Sequence, residues 1–355
     1  MSKLLTALHL GVRSLAPRAW HRVPILLLAA VLMLHGPGAA GLELPLVWQT
    51  ELRAFVTGPP MLVDLDGDGA LDIVVPAVAG LIALDGQGQE LWRFTDVAAG
   101  RAYPTIGYPG ALERPGQSAL VYAAGATGDL FCVDGHGQEV WRSSMGGHLS
   151  WTGAVLCDLG SDGRFEVVHA NEEAVVCAFD AESGKPLWRA PVAGSVEACL
   201  AAADLDGDGS PEIVVPCMSG HIEALNSDGS KRWSTKVAQQ VYSAPVVFTD
   251  SRGDTRIVAG SGDARLICLD ARGELLWERQ ADSSIDSSVS VGDINQDGRP
   301  DIFFVTQGGQ IWRLDEDGGL VWELAMGART DAAGAIADVT GDGQPEYVLC
   351  THTAR

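Results

Sequence analysis

The sequence predicts an all-β fold, a seven-bladed β-propeller of four-stranded antiparallel blades, and three observations carry that prediction. An acidic phrase recurs with its first aspartate at positions 64, 158, 204, 250, 293 and 338. A tryptophan recurs in step with it at 48, 92, 141, 188, 233, 277 and 322, at intervals of 44 to 49 residues. Between these markers the apolar runs are short, β-branched and bounded by Gly and Asp, as in Asp72–Ala77, Gly80–Leu84 and Glu90–Phe94. No sustained helical period appears after the first 40 residues. Two interlocked markers at one period define an internal repeat, and about four short strands per unit is the content of a propeller blade.

The acidic phrase is clearest at Asp64, Asp66, Asp68 and Asp72, with Gly69 at position six and Ala70 at position seven. Calcium takes six to eight hard oxygens, and a glycine at position six allows the sharp turn that converges them, with a backbone carbonyl at position seven. An Asp/Gly hairpin turn alone does not account for acids at alternate positions plus position nine. The phrase repeats at Asp204, Asp206, Asp208, Ser210 and Glu212, and again at Asp293, Asn295, Asp297, Arg299 and Asp301. A further copy is Asp338, Thr340, Asp342, Gln344 and Glu346, with a neutral hydroxyl at position three. The copy at Asp158 has Gly160 where the second ligand belongs, which weakens it. The stretch from Asp250 lacks Gly at six and an acid at nine, and reads as an empty turn. The interval from 64 to 158 is about twice the others, so one unit, near residues 108–118, lacks the phrase.

The ends of the chain bear on the blade count. Pro45-Leu46-Val47-Trp48 is the tail of a blade with no blade before it, and Glu346–Thr351 is the strand after the last loop. Pairing the two ends would close the ring and remove exposed edges, so the tail phrase is expected to complete an otherwise incomplete last blade. Eight blades is the alternative if sequence is missing.

Residues 1–40 read as a signal peptide and 41–355 as the propeller domain. Lys3, Arg13, Arg18 and Arg22 precede an apolar run, Val23 to Leu34, and Gly38-Ala39-Ala40 offers small residues for cleavage. Twelve apolar residues are short for a membrane span, which needs about twenty. Losing four basic and no acidic residues would take the formal charge from −22 to −26. Such acidity excludes nucleic acid and anionic membrane surfaces as partners and suits an exported protein loaded with calcium. A monomer in the periplasm, at the cell surface or in the medium is expected.

Seven cysteines lie beyond residue 40, an odd number without paired spacing, which is no disulfide framework. Cys132, Cys177 and Cys268 hold near-equivalent strand positions, as small core hydrophobes do. One bridge is geometrically conceivable. If Asp204 stands opposite Glu212, antiparallel pairing puts Cys199 directly across from Cys217, within the span of a disulfide. No Cys/His cluster suggests zinc, and His148, His169 and His221 read as turn or surface residues.

The Asp-x-Asp-Gly-Asp-Gly loops running into Ile-Val-Val strands resemble FG-GAP repeats, the calcium-bearing blades of integrin-α-type and bacterial VCBS-type propellers. The phrase from Ala178 to Trp188 resembles the tryptophan motif of pyrroloquinoline-quinone-type propellers. Together the two signatures cover residues 45–350. The resemblance implies structural calcium and a tryptophan packed between neighbouring blades; it does not fix a function. The tryptophan motif occurs in non-enzymatic propellers too, including an outer-membrane assembly lipoprotein.

Two classes of function therefore stand. The first is an exported binding or scaffold module for a protein or carbohydrate partner. The second is a propeller enzyme, either a quinone-dependent oxidoreductase or a polysaccharide lyase. A quinone site needs a vicinal cysteine pair or an equivalent clamp and a catalytic Asp beside cofactor-bound calcium, and the chain has no Cys-Cys; a lyase needs a convergent basic or His cluster. Seven residues before each loop aspartate stand Thr57, Trp151, Glu197, Ser243, Asp286 and Asp331. These should ring one mouth of the central channel, where Trp151, Glu197, Asp286 and Asp331 could grip a cationic or sugar ligand. Arg252-Gly253-Asp254 spells a tripeptide that integrins bind, but its Gly and Asp belong to the loop pattern, and chance is the better account.

Overall fold

The computed structural model describes residues 48–349 apart from 79, 96–103, 108–117, 126–127, 147–151, 328–329 and 331–332. The described residues form strands and turns, arranged as seven blades. Blade one is Met61–Val63, Asp72–Ala77, Gly80–Leu84 and Glu90–Phe94 (β1–β4), and blade two is Thr105–Gly107, Leu120–Ala124, Asp129–Asp134 and Glu139–Ser144 (β5–β8). Blade three is Val155–Cys157, Glu166–Asn171, Val175–Asp180 and Pro186–Pro191 (β9–β12). Blade four is Ala201–Ala203, Glu212–Pro216, His221–Leu225 and Lys231–Lys236 (β13–β16). Blade five is Val246–Thr249, Thr255–Gly260, Arg265–Asp270 and Leu275–Gln280 (β17–β20). Blade six is Ser290–Gly292, Asp301–Val305, Gln310–Leu314 and Leu320–Ala325 (β21–β24). Six blades are four-stranded antiparallel sheets in chain order; the seventh has two described strands, Ala335–Ala337 and Glu346–Val348 (β25, β26). First strands of successive blades touch, from β5 through β9, β13, β17 and β21 to β25, which puts them around the axis and the fourth strands outside.

Alternation along the middle strands builds the core. In β10, Val167 packs toward blade two and Val168 toward blade four, and both are fully buried. Each strand thus fills two interfaces, which is why these strands read as unbroken apolar runs.

The tryptophan period is an inter-blade joint. Trp92 donates its indole N–H to the Gly135 carbonyl of blade two at 2.8 Å, and Trp141, Trp188 and Trp233 repeat this on Ala181, Ser227 and Ala271. Each ring lies over a turn glycine of the next blade. Gly137 has φ of 76°, and a Cβ there would come within 2.7 Å of the Trp92 ring. That glycine is needed both for its backbone conformation and for the ring's approach. The preceding Asp holds the turn: Asp134 accepts the backbone N–H groups of His136 and Gln138. A β-bulge follows the residue opposite the tryptophan in each of the six complete blades, as between Cys132 and Val133.

Trp48 treats blade one in the same way, bonding Gly86 at 2.9 Å and covering Gly88. Residues 48–50 take no strand pairing, and the rest of the tail phrase, residues 45–47, lies outside the described residues. The motif-free stretch near 108–118 lies outside the described residues, except for Ser118.

Two expectations are corrected. The structure pairs Ala203, not Asp204, with Glu212. That one-residue slip turns the side chains to opposite faces, so Cys199 and Cys217 do not oppose each other, and both are free thiols. The loop's first aspartate leaves the ladder to fold over its turn, which is why it is not the paired residue. His169 is neither a turn nor a surface residue. It stands fully buried in β10, where burial pushes its imidazole down to about 4. His221 opens β15, half-buried, with Nδ1 3.0 Å from the Ser219 hydroxyl. His148 lies outside the described residues.

Candidate metal centres

Each acidic loop spans the turn between the first and second strands of a blade. The residue before the first aspartate pairs with position nine: Val63 with Asp72, Gly292 with Asp301, Ala337 with Glu346. Two backbone features repeat. Positions four and six take left-handed φ, as at Gly67 and Gly69, Gly207 and Gly209, and Gly341 and Gly343. In the loops of blades three and six, position four is Ser161 or Gln296, also left-handed, and each side chain bonds a carbonyl of the next loop, Gly209 or Gly343.

The first aspartate organises the turn. Asp64 accepts the N–H groups of Gly67 at 2.8 Å, Asp68 at 3.1 Å and Gly69 at 2.9 Å. The equivalent bonds from Gly209 and Gly207 hold the Asp204 carboxyl below its ordinary range, and that from Gly343 does the same for Asp338. Position nine closes the loop from inside. Asp72, Glu212 and Glu346 are buried, and each accepts the backbone N–H of position two, from Leu65, Leu205 and Val339. Burial pushes the Asp72 carboxyl up, and the charges of Asp66, Asp68 and Asp64 push it further, against the Leu65 N–H. Burial likewise raises Glu212, against the Leu205 N–H and the Arg232 charge, with Asp206 and Asp208 adding to the rise. A divalent cation would relieve this repulsion.

Three loops bring carboxylate oxygens within 4.8 Å of one another: Asp64, Asp66 and Asp72; Asp204, Asp206 and Glu212; and Asp338, Asp342 and Glu346. The donor sets are all oxygen, as calcium requires. In blade four a cation already stands in, since the Arg232 guanidinium lies 2.8 Å from Asp206 and 3.4 Å from Glu212. The residues therefore fit a hard divalent cation. Asp293, Asp297 and Asp301 do not converge to the same extent. There Arg313 bonds Asp301 through two nitrogens at 2.9 Å, and Asn295 turns its amide to Asp297. The Asp158 loop keeps its turn, with Asp158 accepting from Asp162 and Gly163 and Glu166 from Leu159.

Blade five is not simply empty. Asp250 is 4% exposed, and both Arg252 and Arg256 bond its Oδ2, Arg256 at 2.6 Å. Burial raises this carboxyl, but the Asp254 N–H and the two guanidinia outweigh it and hold it well below the usual carboxylate range. Arg252 also reaches Asp317 of blade six at 2.7 Å. Ser251 bonds the buried Glu316, which Arg299 holds at 3.0 Å. Arg299, expected to offer a carbonyl to a metal, uses its side chain within blade six to hold Glu316, while the bonds of Ser251 to Glu316 and of Arg252 to Asp317 tie blade five to blade six. The Arg252 guanidinium of the Arg-Gly-Asp tripeptide is engaged in this network.

The channel-mouth residues precede the inner strands, so they lie at the opposite end of those strands from the loops. Thr57, Glu197 and Asp286 each stand four residues before β1, β13 and β21. Glu197 is exposed, and partial desolvation with the charge of Glu172 pushes its carboxyl up. Asp286 is half-buried and Ser243 buried. Trp151 and Asp331 lie outside the described residues.

Comparison with known proteins places the chain in a family. Residues 166–276 and 256–353 each match the model of the lambda-carrageenase beta-propeller domain, together more than half of the chain. A lambda-carrageenase from Pseudoalteromonas sp is 29% identical over 114 residues, and that of Pseudoalteromonas carrageenovora 28%. Each match covers 32% of this chain and 12% of the relative, so the shared stretch spans about an eighth of the curated relatives' length. Among solved structures, BamB from Moraxella catarrhalis superposes with a TM-score of 0.58 at 17% identity, covering 87% of both chains. Sqt1 from Saccharomyces cerevisiae gives 0.61 at 12% identity, covering 81% of this chain and 83% of its own. At these identities the structural likenesses establish the fold alone. The chain belongs to the family of lambda-carrageenase beta-propeller domains.

Proposed function

We propose that this chain is an exported propeller, stabilised by calcium in its inter-strand loops, that serves as a binding or scaffold module for a protein or carbohydrate partner. The observation that carries the reading is the convergence of three all-oxygen carboxylate trios on turns whose backbone N–H groups already hold the carboxylates in place. Such sites are built into the scaffold. Asp64, Asp66, Asp68, Ala70 and Asp72 would hold one ion; Asp204, Asp206, Asp208, Ser210 and Glu212 a second; Asp338, Thr340, Asp342, Gln344 and Glu346 a third. Bound calcium would neutralise the repulsion at each buried position nine and lock the first two strands of the blade together. Export is supported by the basic and apolar pattern of residues 1–40 and by an acidity that calcium would offset. Among the described residues no helix is long and apolar enough to cross a membrane.

The carbohydrate side of the proposal draws support from the family, whose curated relatives carry the name of an enzyme acting on carrageenan. A second reading, that this chain itself cleaves a polysaccharide, rests on the same names. A glycan array probed with the calcium-loaded chain, followed by a product assay on the bound glycans, separates the two. Binding without cleavage supports the module; new chain ends released from a bound glycan would overturn it.

A further inference from the structure

Resting on the calcium reading above, we propose that Arg232 is a resident counter-ion of the fourth-blade loop, which calcium must displace. This loop is therefore a weaker, exchange-type site than its counterpart in blade one. The residue before the tail tryptophan is Leu91, Val140, Leu187, Leu276 and Val321 in the other five complete blades, and each of these is an exposed apolar side chain on the outer strand. Blade four alone replaces it with a cation. Where its counterparts are left exposed, Arg232 bonds the acidic loop of its own blade. Its Nη1 meets Asp206 Oδ2 at 2.8 Å, Asn226 Oδ1 at 3.3 Å and Glu212 Oε1 at 3.4 Å. Two of the three converging carboxylates are thereby engaged, one of them 3% exposed.

A guanidinium has no lone pair to offer a metal, and two cations within about 4 Å repel strongly where water is partly excluded. Calcium and Arg232 cannot share Asp206 and Glu212. Loading the loop must release the side chain, which is about one-third exposed and has solvent beside it. In blade one no guanidinium or ammonium group contacts Asp64, Asp66 or Asp72 among the described residues, so none of those competes for that loop. The exchange also changes the surface: filling the fourth loop frees a guanidinium at the rim of blade four, giving an otherwise acidic protein a calcium-dependent positive side chain there.

The test is calcium titration by calorimetry of the full chain and of Arg232→Leu, which restores the residue type found in the other blades. Asp64→Asn and Asp204→Asn in each background assign the sites. The expected result is that Arg232→Leu tightens the Asp204-dependent site about tenfold and leaves the Asp64-dependent site unchanged, as removal of a charge-assisted pair with a partly buried carboxylate should. Arg232→Gln, which keeps a polar side chain of similar length, should act in the same direction and serves if the leucine variant does not fold. Equal or weaker binding in both variants would overturn the exchange while leaving the metal reading intact. Absence of any Asp204-dependent uptake in all proteins would overturn the metal reading of this loop and the exchange with it.

Discussion

The loop of blade one and the turn of blade five place the same leading aspartate in different charge surroundings. Both begin with an aspartate that gathers backbone N–H groups, and both follow the first strand of their blade. In blade one the acids accumulate: Asp64, Asp66 and Asp72 converge, and Asp72 is pushed up by burial and by its neighbours. In blade five position three is Arg252 and position seven is Arg256, and their guanidinia settle on Asp250. One loop gathers carboxylates with no guanidinium on them among the described residues; the other carries the compensation in its own sequence. On the proposed reading, calcium dependence would be a local property of individual blades, set by whether a loop carries its own guanidinium.

The largest expected effect lies in blade five. Arg256→Leu leaves Asp250 buried with a poorer partner set and should cost about 3 kcal/mol, with a loss in melting temperature that is the same with calcium or chelator. A calcium-dependent loss there would break the comparison. Next comes the acid limb of stability, which His169 shares. Its folded value of about 4 lies below the ordinary 6.5. Its contribution is therefore complete above 6.5 and is lost as pH falls toward 4, by at most about 3 kcal/mol. Denaturant melts of His169→Gln should show a flatter acid limb, and they provide the background in which the two loops can be read.

In that background and with chelator present, the loops should titrate with opposite sign. Asp250, held low, contributes above the unfolded value near 3.8 and loses that contribution as pH falls through its folded value. Asp72, held high, contributes only below that value and loses it as pH rises through its folded value. Asp72→Asn should therefore stabilise the chelated protein at neutral pH. In saturating calcium it should instead destabilise by about 1–2 kcal/mol through weakened binding. The same sign in both conditions would contradict the assignment. The smallest effect belongs to Arg252→Gln, half exposed, at about 1 kcal/mol or less. A double-mutant cycle with Asp317→Asn measures how much of it crosses from blade five to blade six.

The fold was legible because both markers are backbone requirements. A turn glycine under a tryptophan and a left-handed glycine inside an acidic loop tolerate little else, so their period survives in plain sequence. The acids at Asp64, Asp204 and Asp338 were legible for the same reason. What the sequence hid depends on where long side chains go. Arg313 reaching Asp301, Arg232 bonding Asp206 and Arg256 covering Asp250 all link residues from 6 to 26 positions apart, and only the strand register decides which of them meet. Blade five did carry a clue, an arginine at position three where the pattern wants an acid. The Cys199 and Cys217 expectation failed on one residue of register, because the first loop aspartate caps the turn instead of pairing.

The most direct test of the account is a thermal melt of the full chain in calcium and in chelator, paired with a calcium titration by calorimetry. The expected result is calcium uptake that Asp64→Asn, Asp204→Asn and Asp338→Asn each reduce, and a melting temperature that falls on chelation. No uptake of heat or ion, together with identical melts in calcium and chelator, would contradict it.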